Sequence, residues 1–407
     1  MKMSACGLAL LMVMAAPSAE AANREITALF QPDPSQPSKN VFINKTPNSG
    51  YCASYPVQCS QYNMFSIELP IRFDSTRAIE PGEGVPLKVP ANWRQLTITN
   101  AQTRETELVE VRIIGIGSRF FLSDSAANLV GVTDILEGHR KLWEGLGWVN
   151  APLPCQVSGV GAYGPEWYRF FWRAPVEASC VKVALFKIPS MYFDTLDFAY
   201  ELRTPNPLSM SSGLYTGAIT YTMGSGADFD FGPYMVPDDG SLTLDFVLDV
   251  QHTLKVDIPP SGNRVLLEPQ GGWQSWLEQG RKPTRLSRDQ TFNISASSRF
   301  KMSLQCQYYS DINCALWEPV SGHAVPLEVS VTLPNGIVDA AGQPVNRRRL
   351  RRDGVGTELF QPGIYLDRKP GTLHFEVPRE AVQEMIHPGT SRSYSGNVTI
   401  IWDSEVG

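Results

Sequence analysis

Apolar and polar residues alternate along most of this chain. In "FSIELPIRF", Phe65, Ile67, Leu69, Ile71 and Phe73 share one face, while Ser66, Glu68, Pro70 and Arg72 share the other. This is the period-two pattern of a half-buried strand, and a proline inside it points to a sheet edge. "QLTITNAQTRETELVEVRI" predicts a hairpin, with Leu96 and Ile98 on one arm and Val109, Val111 and Ile113 on the other. "CVKVALFKI", "GLYTGAITYTM", "SLTLDFVLDV" and "TLKVDI" read as further strands, each bounded by turn residues. The closing stretch, "YSGNVTIIWDSEVG", alternates once more, with Tyr394, Gly396, Val398, Ile400 and Trp402 facing one way. What this last strand pairs with is the first question the sequence raises.

Only two stretches have helical spacing. Thr133 is the expected cap of "DILEGHRKLWEGL", in which Ile135, Leu136, Leu142, Trp143 and Leu146 form a stripe. "REAVQEMI" is a short second helix. Many strands and few helices predict an all-β chain built of β-sandwiches, with no alternating βα units. Pro259, Pro260, Ser261 and Gly262 separate two strand patterns. They predict a first domain over 22–259, a linker over 260–263 and a second domain over 264–407.

Composition narrows the class. At 407 residues the chain has room for two cores, and 33 glycines with 31 prolines suit many strands joined by turns. Charged residues are 19% and hydrophobic residues 43%, which fits neither a disordered chain nor a multi-span membrane protein. The net charge of -6 provides no general attraction to nucleic acid. Residues 1–21 read as an export signal: Lys2 is the positive start, Leu8 to Ala16 the apolar run, and Ala19-Glu20-Ala21 the cleavage signature. Cleavage is expected after Ala21. The run is too short to span a bilayer.

Cys6 falls within that signal, leaving Cys52, Cys59, Cys155, Cys180, Cys306 and Cys314. An even set in an exported chain implies disulfides, and sequence neighbours are the simplest of the many possible pairings: Cys52–Cys59, Cys155–Cys180 and Cys306–Cys314. None of the gaps has metal-ligand spacing, so no metal or other cofactor is expected.

Candidate chemistry is sparse. The five histidines, His139, His252, His323, His374 and His387, lie in unrelated contexts, and no local catalytic motif accompanies them. "GVGAYG" matches a dinucleotide fingerprint by letters only, because it opens no helix after a strand. Asp228, Asp230, Asp238 and Asp239 are too few for a calcium loop and alternate with strand-like Phe229 and Phe231. In "PEWYRFFWRAP", Trp167, Arg169, Phe171 and Arg173 share one face, and Tyr168, Phe170 and Trp172 the other. The second set reads as core. The first could serve a saccharide or protein, through stacking and bidentate hydrogen bonds. "NRRRLRR", with Arg347, Arg348, Arg349, Arg351 and Arg352, reads as a solvated loop.

From Arg264 onward the sequence resembles the pilin domain of class 5 fimbrial tip subunits of the alternate chaperone–usher pathway. These are the colonization-factor tip adhesins and cable-pilus initiators. The resemblance rests on "NRVLLEPQGGW", "FKMSLQCQYY", "VPLEVSVTLPNG" and "GTLHFEVP" followed by "YSGNVTIIWDS". The first domain is similar more loosely, through "YCASYPVQC", "ELVEVRIIGIGSRFFLSD" and "LDFAYELRTPNPLSMSSGLYTGAITYTM". The resemblance implies two immunoglobulin-like sandwiches in tandem, an adhesin followed by a pilin domain lacking one strand. It implies a non-enzymatic subunit at the pilus tip, exported through the periplasm to the cell surface. Its partners would be a periplasmic chaperone, an outer-membrane usher, a major pilin that donates the missing strand, and a host receptor of glycan type. Val398, Ile400 and Trp402 would then line the acceptor groove. The family's receptor arginines match "FAYELRTPN", which carries Arg203, and a position before the first cysteine, where this chain has Lys45. Arg203 is therefore the first receptor candidate, with Arg169 and Arg173 behind it. The competing class is an exported carbohydrate-active enzyme or carbohydrate-binding β-sandwich protein.

Overall fold

The computed structural model describes residues 22–260, 262–386 and 392–404. The expected export signal, His387 and the last three residues lie outside them. The described chain is all-β, with short helices set between strands.

The first unit is organised around the long strand Thr106–Leu122. Its early half pairs with Arg94–Asn100, the arm expected from the hairpin, and its later half with Trp167–Arg173. Leu196–Arg203 runs along the middle. Gly115 and Gly117 are required here, because a Cβ at either would lie 2.5 Å from the Phe171 ring. The first described strand, Ala22–Phe30, runs parallel to Ser241–Val250, and both alternate apolar residues into the core.

That core is aromatic. Trp143, Trp148, Trp172, Phe120, Phe170 and Phe193 are buried together. Trp148 and Trp172 stack at 5.1 Å, and the Trp172 indole N–H donates to the Trp148 carbonyl at 2.6 Å. Disulfides join Cys52 to Cys59 and Cys155 to Cys180.

The second unit packs two sheets. One runs in the order Leu254–Asp257, Leu286–Ala296, Leu366–Val377, His323–Thr332, Asn313–Glu318. The other runs Ile337–Asp339, Phe360–Pro362, Phe300–Cys306, Val398–Ser404. Phe292, Phe300, Met302, Val329, Phe360 and Val377 fill the space between. The Cys306–Cys314 disulfide ties one sheet to the other.

Several expectations need correction. The strand expected over Phe65–Phe73 is two, Phe65–Leu69 and Phe73–Ser75, broken at Pro70, which cannot supply a ladder N–H. Asp134, not Thr133, caps the helix; its carboxylate accepts the Glu137 amide at 2.7 Å. That helix ends at Leu142, so Leu146 is not on its stripe but lies exposed at positive φ. Phe171 does not face solvent: it stacks on Tyr51 at 4.6 Å, beneath the helices Tyr51–Ser54 and Pro56–Gln61. The arginine run is not a loop throughout. Arg348–Leu350 is a strand paired with His323–Thr332, and Arg349 pairs with Glu328 at 2.6 Å. The strand Leu254–Asp257 precedes the expected linker, yet it pairs with Leu286–Ala296. The chain leaves the first core after Val250 and joins the second at Leu254. Between them, the His252 Nε2–H donates to the Met210 carbonyl at 2.8 Å, and Nδ1 meets Ser297 Oγ at 3.1 Å.

Candidate functional site: an open strand edge and a first-unit surface

Among the described residues the closing strand, Val398–Ser404, pairs on one side only, with Phe300–Cys306, and ends its sheet. Across that pairing Met302 meets Trp402 and Leu304 meets Ile400. Met302 and Leu304 are 1% and 4% exposed, whereas Trp402, Ile400 and Val398 are all only half-buried. The difference has one physical source: Phe300–Cys306 has the closing strand beside it, and the closing strand has no further neighbour among the described residues.

The opposite sheet shows the same condition. Its edge is Leu254–Asp257, and Leu254, Val256, Val265 and Leu267 pack half-buried against the second core. Phe292, on the strand beside that edge, touches Trp402 with ring centroids 5.0 Å apart. The two open edges therefore lie on the same side of the sandwich. Both carry half-buried apolar side chains, and the outer side of the closing strand has no backbone partner among the described residues. Such an edge is a template for strand addition. Among the described residues no group of His, Cys, Asp and Glu is arranged to hold a metal ion.

The receptor candidates fall in two separate places on the first unit. Arg203 is exposed, pairs with Glu110 at 3.4 Å, and lies 4.0 Å from the centroid of the Trp93 ring. Arg112 lies 4.6 Å from the same ring, and its Nε–H donates to Glu201 at 2.8 Å. Sequence reading missed Trp93 and Arg112, since residue 93, just before the strand Arg94–Asn100, meets 112 and 203 only through the pairing of that strand and Leu196–Arg203 with Thr106–Leu122. Arg169 is registered with Arg119 on the long strand and Arg203 with Glu110, which separates them by roughly 30 Å along it. Arg173 lies over the Tyr62 ring at 3.8 Å, and its Nε–H donates to the Val157 carbonyl at 3.3 Å.

Arg169 turns inward. Its side chain is 24% exposed, and it sits 3.1 Å from Glu68 and 3.7 Å from Asp197. Asp197 is buried, and its Oδ2 accepts the Tyr51 amide at 2.5 Å, fastening the disulfide-bonded helix to the sheet. Burial pushes the Asp197 carboxyl up to about 8, outweighing the Tyr51 amide and Arg169, which pull it down. An unfolded aspartate titrates near about 4, so the chain takes up a proton on folding between those values. The sign follows: Asp197 makes the first unit less stable as pH rises from about 4 to about 8. Asp197→Asn keeps the acceptor and removes the titration. Its melting midpoint should gain on the wild type as pH rises through that window; curves that stay parallel would contradict the assignment.

No family model matches the chain, and no curated protein matches it. Among solved structures it is similar to CfaE, the adhesive subunit of CFA/I fimbria of enterotoxigenic Escherichia coli. The identity is 12%, covering 95% of each chain, with a TM-score of 0.24. It is similar to a chain of the chaperone–tip adhesin complex of CFA/I fimbriae biogenesis, at 11% identity over 96% of this chain and 99% of that one, TM-score 0.25. It is also similar to a chain of the CsuC–CsuE chaperone–tip adhesion subunit complex of Acinetobacter baumannii, at 10% identity over 94% and 98%, TM-score 0.21. At such identities and TM-scores, the case for function stands on the open edges themselves.

Proposed function

We propose that this chain is a fimbrial tip subunit: an adhesin unit followed by a sandwich one strand short, which accepts that strand from other polypeptides. The observation that carries the reading is the pair of half-buried apolar banks, Val398, Ile400 and Trp402 on one edge and Leu254, Val256, Val265 and Leu267 on the other. A periplasmic chaperone guards the groove first. A major pilin, delivered at the outer-membrane usher, then replaces the chaperone. Backbone hydrogen bonds supply affinity and alternate side chains supply specificity.

The test uses the full chain and a synthetic strand of alternating apolar and polar residues. The strand should be captured and should suppress aggregation, while a variant with Asp at its apolar positions should not. A chain that stays monomeric and takes up neither peptide would sink the reading.

The first unit supplies adhesion to a host receptor of glycan type, with Arg203 and Trp93 as the contact. Arg203→Ala and Trp93→Ala should each weaken cell binding by about tenfold, the scale of an aromatic or arginine anchor. Arg173→Ala should leave binding unchanged. If all three variants bind as the wild type does, the surface around Trp93 is not the receptor site.

A further inference from the structure

The first described strand begins at Ala22, the residue that follows the expected cleavage point. It runs parallel to Ser241–Val250, with Ala22 opposite Leu242. In a parallel pair both strands start at the same end, so the turn feeding the second strand lies beside the first residue of the first. Asp239 sits in that turn. Its Oδ2 accepts the Ala22 backbone N–H at 2.6 Å, while its Oδ1 accepts the Ser241 amide at 3.0 Å. One carboxylate thus holds the starts of both strands. The carboxylate is half-buried, and so is Ala22.

We propose that export processing completes this contact by turning it into an ion pair between the Ala22 α-ammonium and Asp239. Water adds across the Ala21–Ala22 peptide bond under a signal peptidase. The acyl side leaves as the Ala21 carboxylate with the water oxygen, and the Ala22 nitrogen takes up both of the water's protons to become the ammonium. The nitrogen that donated as a neutral amide then donates as a cation to the same oxygen. The carboxylate already makes this bond charge-assisted, and charging the donor as well turns it into an ion pair that is stronger again. The first unit therefore holds its first strand most firmly only after the leader has gone. This holds whether or not the second unit accepts a strand.

The full chain, produced with its leader and recovered from the periplasm, provides the test. Its intact mass should place the first residue at Ala22. Hydrogen exchange over residues 22–30 then reports opening of this first strand. Asp239→Asn should raise that opening about tenfold, the lower end of the range for a hydrogen bond between charged groups. In a second chain, one serine inserted between Ala21 and Ala22 moves the ammonium about 3.3 Å along the strand. This chain should open about fivefold more than the wild type, and Asp239→Asn should change it by about threefold only, the factor of an ordinary hydrogen bond, because the Ala22 amide still donates to Asp239. Asp239→Glu, which keeps the charge, should restore most of the protection. A mature start elsewhere would overturn the proposal. So would an Asp239→Asn effect of equal size in both chains, or an inserted chain as protected as the wild type.

Discussion

A strand of alternating valines and polar residues, fused through a flexible linker after Gly407, raises the unfolding midpoint of the second unit by roughly 10 to 20 °C. The fused strand pairs with the free edge of Val398–Ser404 and covers Val398, Ile400, Trp402 and the bank formed by Leu254, Val256, Val265 and Leu267. Each apolar side chain moved from half-buried to buried gains about 1 kcal/mol, and ordering the added strand consumes part of the total. A net gain on the order of 5 kcal/mol corresponds to the stated shift in a unit of this size. Differential scanning calorimetry resolves it, because the first unit's transition should not move. Ile400→Asp puts a charge under the fused strand and should abolish the gain. An unchanged second-unit midpoint in the fused wild type would mean that the groove is already satisfied from within.

Trp172→Ala lowers the first-unit midpoint by roughly 10 °C and leaves the second unit's transition in place. Trp172 is fully buried, stacks on Trp148 and lies 4.7 Å from Phe170, ring centre to ring centre. Truncation opens a large cavity and strips the Trp148 carbonyl of its donor, a combined cost of about 3 to 5 kcal/mol. Trp172→Phe should lose less, since it refills most of the volume and loses only the hydrogen bond. Far-ultraviolet melting of both variants distinguishes these outcomes. Similar losses would show that the indole N–H, and not the packing, dominates.

The strands themselves were legible because a half-buried strand writes its two faces into the sequence. The hairpin Arg94–Asn100 with Thr106–Leu122 and the alternation of Ser241–Val250 follow from spacing alone. Helices were less legible. Tyr51–Ser54, Pro56–Gln61 and Gln274–Gln279 are too short to show a helical period, and tertiary contacts hold them. Phe171 illustrates a different limit. Period two put it on the outer face, and only the packing of the disulfide-bonded helices over that face buries it. The arginine run failed for a similar reason: its charges suggested a loop, while Glu328, Asp353 and Asp339 lie where arginine side chains of a strand and its flanks can reach them.

The sequence by itself determined the all-β class, the alternation that aims Val398, Ile400 and Trp402 inward, and the positions at which turns break the strands. These are local properties, set by the geometry of one strand and the residues that end it. The tertiary structure alone decided which edges stay open. That Phe292 reaches Trp402, that Leu254–Asp257 belongs to the second unit, and that Asp239 waits beside Ala22 are pairings between distant segments. Alternation shows which face of a strand is buried and carries no information about its neighbours. Whether the closing strand has one partner or two is therefore a property of the assembled sheets.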